Sequence, residues 1–418
     1  MEALKISSLV TSAELAEQLG NYAKSSAAIG GSKRSNDGGS DTEKAAQKSV
    51  KNRALRYEMH DTARSLLRND LLSKGAIDIK QIKGAYRVVH CRHTMMAKQV
   101  GINKSASTGK CFYTGLVTCG SVWSCPLCSV LIQSRRSVEV SKAIESAYND
   151  HGLSCSMITL TFPHYSFQSC KYLIDKQKQA LKYFRESRAY KNMLKEIGYK
   201  GLIRGLEVVY GSNGWHPHTH ELWFHKPSKI HRQTAIIKHF WFKACDKAGL
   251  IPKGKSTSFK KHAVDIKLNV SSGDYLQKSS QDGWGIDKEL TSSSLKSSSK
   301  GLPPFALLES ANSLESSDRE AHGQLFVEYA KAFAGKRQLY WTNGLKDFFN
   351  VDEKTDEEIA NEDIDKAYQL GNLDGISWLI IRKNKARFLM LYLIENGGFH
   401  LCVEWLKLHG VNTEYIYK

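Results

Sequence analysis

No stretch of this 418-residue sequence approaches the ~20 consecutive apolar residues that a bilayer-spanning helix needs. The first residues, MEALKISSLVTSAELAEQLG, also lack the basic start and continuous apolar run of a secretory signal. No membrane partner is therefore expected, and the chain reads as cytoplasmic. No internal repeat is visible. Negative charge is short: 42 Asp plus Glu stand against 60 Lys plus Arg, a formal charge of +18 with a pI near 9.3, and such a chain favours a polyanionic partner, nucleic acid first. Cysteine is present in an odd number, nine, with five crowded between Cys91 and Cys128. That argues against a disulfide framework and for metal ligation in a reducing compartment.

Two polar stretches divide the chain. Residues 23–52 are rich in Ser, Gly, Lys and Asp and too poor in apolar side chains to offset the entropy of ordering, so residues 1–55 read as a mostly disordered arm. A Ser-rich linker is expected at 291–301 (TSSSLKSSSKG), before a helical C-terminal region over 302–418. Between them lie a Cys-rich segment with a helix, 85–150, and a domain over 151–290. In that domain Cys155–Phe162 reads as a strand, and Cys170 to about Ile197 as one basic amphipathic helix. Leu202–Tyr210 and His216–Phe224 read as a hairpin turned by Gly211-Ser212-Asn213-Gly214, with Asn-Gly supplying positive φ. Lys229–Gly249 follows as a helix and Ala263–Val270 as a half-buried strand. The order β-α-β-β-α-β implies an α+β fold of the ferredoxin-like, split βαβ kind: an antiparallel sheet with helices on one face and the other face free for a ligand.

The histidines of Trp215-His216-Pro217-His218-Thr219-His220-Glu221-Leu222 alternate. On a strand, side chains two apart share a face, so His216, His218 and His220 project together. Imidazoles ligate many divalent ions, and a nearby carboxylate would suit a harder ion such as Mn²⁺ or Mg²⁺. Glu207, amid Leu206, Val208 and Val209 on the other hairpin arm, is the candidate, because an ionised carboxylate there is costly unless paired or metal-bound. Its direction depends on the strand register.

Gly214-Trp215-His216-Pro217-His218-Thr219-His220 resembles the metal motif of HUH endonucleases, specifically the single-tyrosine initiators of small rolling-circle plasmids. Thr159-Leu160-Thr161, Leu206-Glu207-Val208, Glu289-Leu290-Thr291, Arg337-Gln338-Leu339-Tyr340-Trp341 and Gly344-Leu345 are similar to further family segments, so the resemblance runs from about Cys91 to the C-terminus. It implies a metal-dependent enzyme that nicks one strand of origin DNA through a 5′-phosphotyrosine and leaves a 3′-OH primer. The implied partners are the double-strand origin, a single-stranded nick site, and a host helicase and polymerase. The HUH pair proper maps best onto His218 and His220, with His216 one step earlier.

The resemblance also implies a tyrosine after the metal motif. Gly273-Asp274-Tyr275-Leu276-Gln277-Lys278 offers Tyr275 as the nucleophile, and Lys278, one helical turn on, as the group stabilising phenolate or phosphate. Several relatives carry a carboxylate one turn before the tyrosine to activate water at termination; here that position is Ser271.

Cys119-Gly-Ser-Val-Trp-Ser-Cys125-Pro-Leu-Cys128 is a Cys-x-x-Cys knuckle with a third cysteine upstream, and Cys91 offers a fourth thiolate, with Cys111 and His93 as spares. Similarity to the family's Cys-Gly-Ser-x-Trp-x-Cys-Pro-x-Cys segment implies Cys91, Cys119, Cys125 and Cys128 as one structural Zn²⁺ site. Gln133–Ser137 could meet phosphates or form an exposed charged face, and Trp123, Trp215 and Trp223 could stack on bases or fill the core. Two competing readings remain: a zinc-containing DNA-binding regulator without catalysis, and another HUH enzyme such as a transposase or relaxase.

Overall fold

The computed structural model describes residues 41–75, 82–227, 233–252, 259, 262–270, 301–313, 316–361, 367–413 and 416. Helix α1 (Asp41–Ser73) opens it and begins inside the stretch expected to be disordered. Local composition did not signal this helix because its support is tertiary: Met59, Ala63 and Leu67 are fully buried in the main core. A hairpin follows, β1 (Val100–Ser105) and β2 (Cys111–Thr114), and then α2 (Pro126–Asn149), whose first turn carries part of the cysteine cluster.

The central sheet has the order β6-β3-β5-β4-β7, and every neighbouring pair is antiparallel. Its strands are β3 (Ser154–Leu160), β4 (Gly201–Gly211), β5 (Gly214–His225), β6 (Val264–Lys267) and β7 (Leu339–Trp341). Between β3 and β4 the expected single helix is two, α3 (Cys170–Glu186) and α4 (Arg188–Glu196). Ser187 is the cause: it adopts extended backbone (φ −65°, ψ 136°) and its side chain caps α4 by accepting from the Tyr190 amide. Helix α5 (Thr234–Lys247) connects β5 toward β6. In the hairpin turn the positive φ falls on Gly214 (82°), not on Asn213. A Cβ at Gly214 would lie 2.8 Å from the Ser166 Cα, so the glycine also admits the loop after β3.

One sheet face is covered by α3 and α5, with Leu173, Phe184, Ile237 and Trp241 packed with Ile158, Leu160 and Trp223. The other face is not wholly free, as the sequence had suggested. Cys155, Met157, Ile203, Leu222 and Phe224 are covered there by Val140, Ile144 and Ala147 of α2 and by Leu345, Phe349 and Val351. Among the described residues this cover stops short of the half of that face toward the hairpin tip, where the histidines lie.

The C-terminal region contains α6 (Pro304–Asn312), α7 (Arg319–Phe333), α8 (Leu345–Phe348), α9 (Asp356–Asn361), α10 (Gly375–Lys383), α11 (Arg387–Gly397) and α12 (Phe399–Leu408). Helical spacing did not reveal two strands among them, β7 and β8 (Ala367–Leu373). Strand β8 pairs with β1, giving a second sheet of order β2-β1-β8 whose core unites Val100, Ile102 and Tyr113 with Trp378, Met390, Val403 and Leu406. Arg387 joins this unit to the rest. Its side chain is 2% exposed, and its guanidinium donates to Asp61 Oδ1 (2.8 Å) and to the Arg92 carbonyl (2.9 Å).

Candidate metal centre

The register decides which way Glu207 points. It pairs directly with His218, while Gly205 pairs with His220 and Val209 with His216, so all three positions of β4 share the histidine face. Gly205 is buried and puts no side chain of its own beside His220. The Glu207 Oε2 lies 3.3 Å from His218 Nε2 and 3.1 Å from His220 Nε2. One donor atom from each of Glu207, His218 and His220 lies within 4.8 Å of the others.

The far ring nitrogens are held as well. His218 Nδ1 is 3.3 Å from the His216 carbonyl, which can only accept, so Nδ1 donates there. His220 Nδ1 meets Thr159 Oγ1 at 3.0 Å across β3. Such partners orient metal-binding imidazoles. Burial pushes the Glu207 carboxyl up, but hydrogen bonding and charge from His218, and then from His220, outweigh it and hold it well below the carboxylate range. Burial pulls His218 down, yet Glu207 outweighs it and raises this imidazole above its ordinary value. Two imidazoles about a half-buried carboxylate are a donor set suited to a divalent transition ion, with exposures of 13, 22 and 25% for His218, His220 and Glu207 leaving one side of the group accessible.

Among the described residues, the group of converging donor atoms does not include His216, which the sequence had placed in the ligand set. Its ring stacks on His164 at 4.4 Å and 12°, and its centroid is 5.2 Å from that of His218. Burial, with the charges of His218 and His164, pushes it down to about 3. Tyr275, Lys278 and Ser271 lie outside the described residues.

The second group is Cys91, Cys119, Cys125 and Cys128, all buried. Cys91 Sγ is 3.6 Å from Cys125 Sγ and 3.4 Å from Cys128 Sγ, and Cys119 Sγ is 3.7 Å from Cys128 Sγ. Four thiolates each ~2.3 Å from one Zn²⁺ would stand about 3.8 Å apart, so this spacing fits a tetrahedral site. Cys125 caps α2, with the Cys128 amide 3.4 Å from its sulfur. Burial pushes the Cys119 and Cys125 thiols up, while hydrogen bonds from the other three cysteines hold Cys128 down. The spares lie elsewhere: Cys111 is in the β2-β1-β8 core, and His93 Nδ1 faces Arg382 at 3.0 Å.

Other candidates resolve as framework. Trp123, Trp215 and Trp223 are core residues, and Trp215 Nε1 donates to Glu328 of α7 at 3.1 Å. Arg136 is clamped by Glu139 (2.9 Å) and Asp356 (2.8 Å), and Arg135 Nη2 is 3.7 Å from Asp352. Beneath the histidine strand, buried Glu221 is paired with Arg185 and accepts from Trp223 Nε1 at 3.0 Å. Sequence reasoning did not single out His164 or give Thr159 a task. The first carries no spacing signal, and the second depends on which strand pairs with β5.

Residues 116–388 match the family model described as "Replication protein". The chain belongs to this replication protein family. Among curated proteins it is 25% identical over 305 residues to "Protein rep" of Streptomyces lividans, covering 59% of this chain and 66% of that protein. It is 28% identical over 141 residues to "Neomycin resistance protein" of Streptomyces cyanogenus, covering 28% of this chain and 32% of that protein. The chain thus spans less than two thirds of the length of these relatives. No solved structure matches. The family match of this replication protein includes both donor groups except Cys91. Among the described residues, no helix is long and apolar enough to cross a membrane.

Proposed function

We propose that this replication protein initiates plasmid rolling-circle replication by nicking one origin strand with Tyr275 and remaining joined to the 5′ phosphate. The observation that carries this reading is the convergence of Glu207, His218 and His220 on the open half of a sheet face, within a chain of the replication protein family. The strand order β6-β3-β5-β4, with α3 and α5 on one face, supports a ferredoxin-like HUH domain over 151–290. Cys91, Cys119, Cys125 and Cys128 hold a structural Zn²⁺ in this reading.

Glu207, His218 and His220, with His216 beside them on the same strand, would hold Mn²⁺ or Mg²⁺, whose charge would polarise the scissile phosphate. Thr159 and the His216 carbonyl fix the two imidazoles so that no reorganisation is needed when DNA arrives. The Tyr275 phenol oxygen attacks the phosphorus and its proton leaves to solvent or base; the P–O3′ bond breaks, and the departing 3′ oxygen takes up a proton to become the primer hydroxyl. Lys278 stabilises the phenolate or the phosphate. Energy is conserved in the phosphotyrosine ester, so a later 3′-OH can reverse the step and rejoin the strand. Origin DNA is the substrate, and a host helicase and polymerase extend the primer.

The test is conversion of a supercoiled plasmid carrying the cognate origin to the open circle. Nicking that requires Mn²⁺ or Mg²⁺ and is lost in Glu207→Ala supports the proposal. Sequence-specific duplex binding without nicking under any of these ions would favour the regulator reading.

A further inference from the structure

A short run of rings leads away from the candidate metal centre. The His220 and His218 centroids are 5.0 Å apart, those of His218 and His216 5.2 Å, and His216 stacks on His164. His164 belongs to the loop after β3, and the next residues along it, Tyr165 and Phe167, stack on each other at 5.7 Å and 11°. Phe167 is 82% exposed, among the most exposed large apolar side chains of the described residues. An aromatic ring left in water beside a polar site gains nothing for the fold.

The loop is built to hold those rings still. The Tyr165 amide donates to Gln168 Oε1 at 2.8 Å, and the Gln168 amide donates to the Tyr165 carbonyl at 3.0 Å. Ser166 is seated against Gly214 at the hairpin tip, where a Cβ would collide with it. At the start of α3, Tyr172 is 42% exposed, and Lys171, 74% exposed and paired with Asp175 at 2.6 Å, adds positive charge within one turn of the loop. An exposed ring, Phe167, stacked on a half-buried one, Tyr165, on a strongly basic chain, forms a pattern that takes unpaired bases by stacking.

We propose that Tyr165 and Phe167 form a stacking platform for the unpaired bases of single-stranded DNA next to the Glu207–His218–His220 group. The inference rests on the nicking reading for what lies at that group, but the platform itself acts through affinity alone. Because bases in a duplex are already stacked on their neighbours, the platform discriminates single strands from duplex.

The test is fluorescence anisotropy of the full chain with a labelled dT30 oligonucleotide and, separately, a mixed-sequence 30-base-pair duplex, without added divalent ion. Phe167→Ala is expected to weaken dT30 binding about tenfold, from the typical strength of one base–ring stack, and to leave duplex binding within about twofold. Tyr165→Ala should weaken dT30 less, and Phe167→Trp should restore it, whereas Phe167→Leu should not. Far-UV circular dichroism of each variant separates these losses from misfolding. Affinity for dT30 within twofold of wild type in both alanine variants, equal restoration by leucine, or a parallel loss on duplex would overturn the platform. Failure of nicking alone would leave this result untouched, and intact nicking with unchanged dT30 affinity would sink the platform alone.

Discussion

The two donor groups differ in how the chain encloses them. The thiols of Cys91, Cys119, Cys125 and Cys128 are no more than 2% exposed and come from three separate segments around α1 and α2. Glu207, His218 and His220 come from one hairpin and keep a side open. A closed set of thiolates has no position left for substrate and acts by tying segments together, whereas an open set of imidazoles and carboxylate leaves room for a phosphate oxygen. The contrast fits a stabilising role for the closed group and, in the proposed function, a chemical role for the open one.

That contrast can be broken or sharpened by substitution. Cys125→Ser should have the largest effect, lowering unfolding free energy by about 4 kcal/mol or more with loss of bound zinc, measured by denaturant titration and metal analysis. An unchanged midpoint would make the cysteines ordinary core residues. Glu207→Gln should do the reverse: Mn²⁺ affinity by calorimetry falls more than about 100-fold, while stability stays within about 1 kcal/mol of wild type. Thr159→Ala, which removes the hydroxyl 3.0 Å from His220 Nδ1, should reduce Mn²⁺ affinity about tenfold without altering zinc content. The smallest effect is expected for His216→Asn, with Mn²⁺ affinity kept within about threefold, because its ring stacks on His164 and is not part of the converging Glu207, His218 and His220 group. A loss matching that of Glu207→Gln would return His216 to the ligand set.

Much of this arrangement was legible before the structure. Alternation placed His218 and His220 on one face because strand periodicity is a local property, and the Gly-rich turn located the hairpin. Spacing marked the knuckle with Cys119, Cys125 and Cys128, the family resemblance added Cys91, and the fold brings these four thiols within 4.8 Å of each other. What sequence left open depends on contacts distant along the chain. The direction of Glu207 needed the β4–β5 register, and the position of His216 needed the loop bearing His164. The break at Ser187 needed a backbone conformation that side-chain periodicity does not encode. The start of helix α1 fell in the stretch read as disordered because the core this helix joins includes residues far along the sequence, such as Phe326 and Phe333 of α7.

The most direct test of the nicking account is to incubate the full chain with a single-stranded oligonucleotide spanning the origin nick site and Mn²⁺, then separate protein under denaturing conditions and map any covalent adduct by mass spectrometry. The account predicts an adduct on Tyr275 that disappears with Tyr275→Phe and with Glu207→Ala. An adduct on another residue, or one that persists in Glu207→Ala at the wild-type rate, would contradict it.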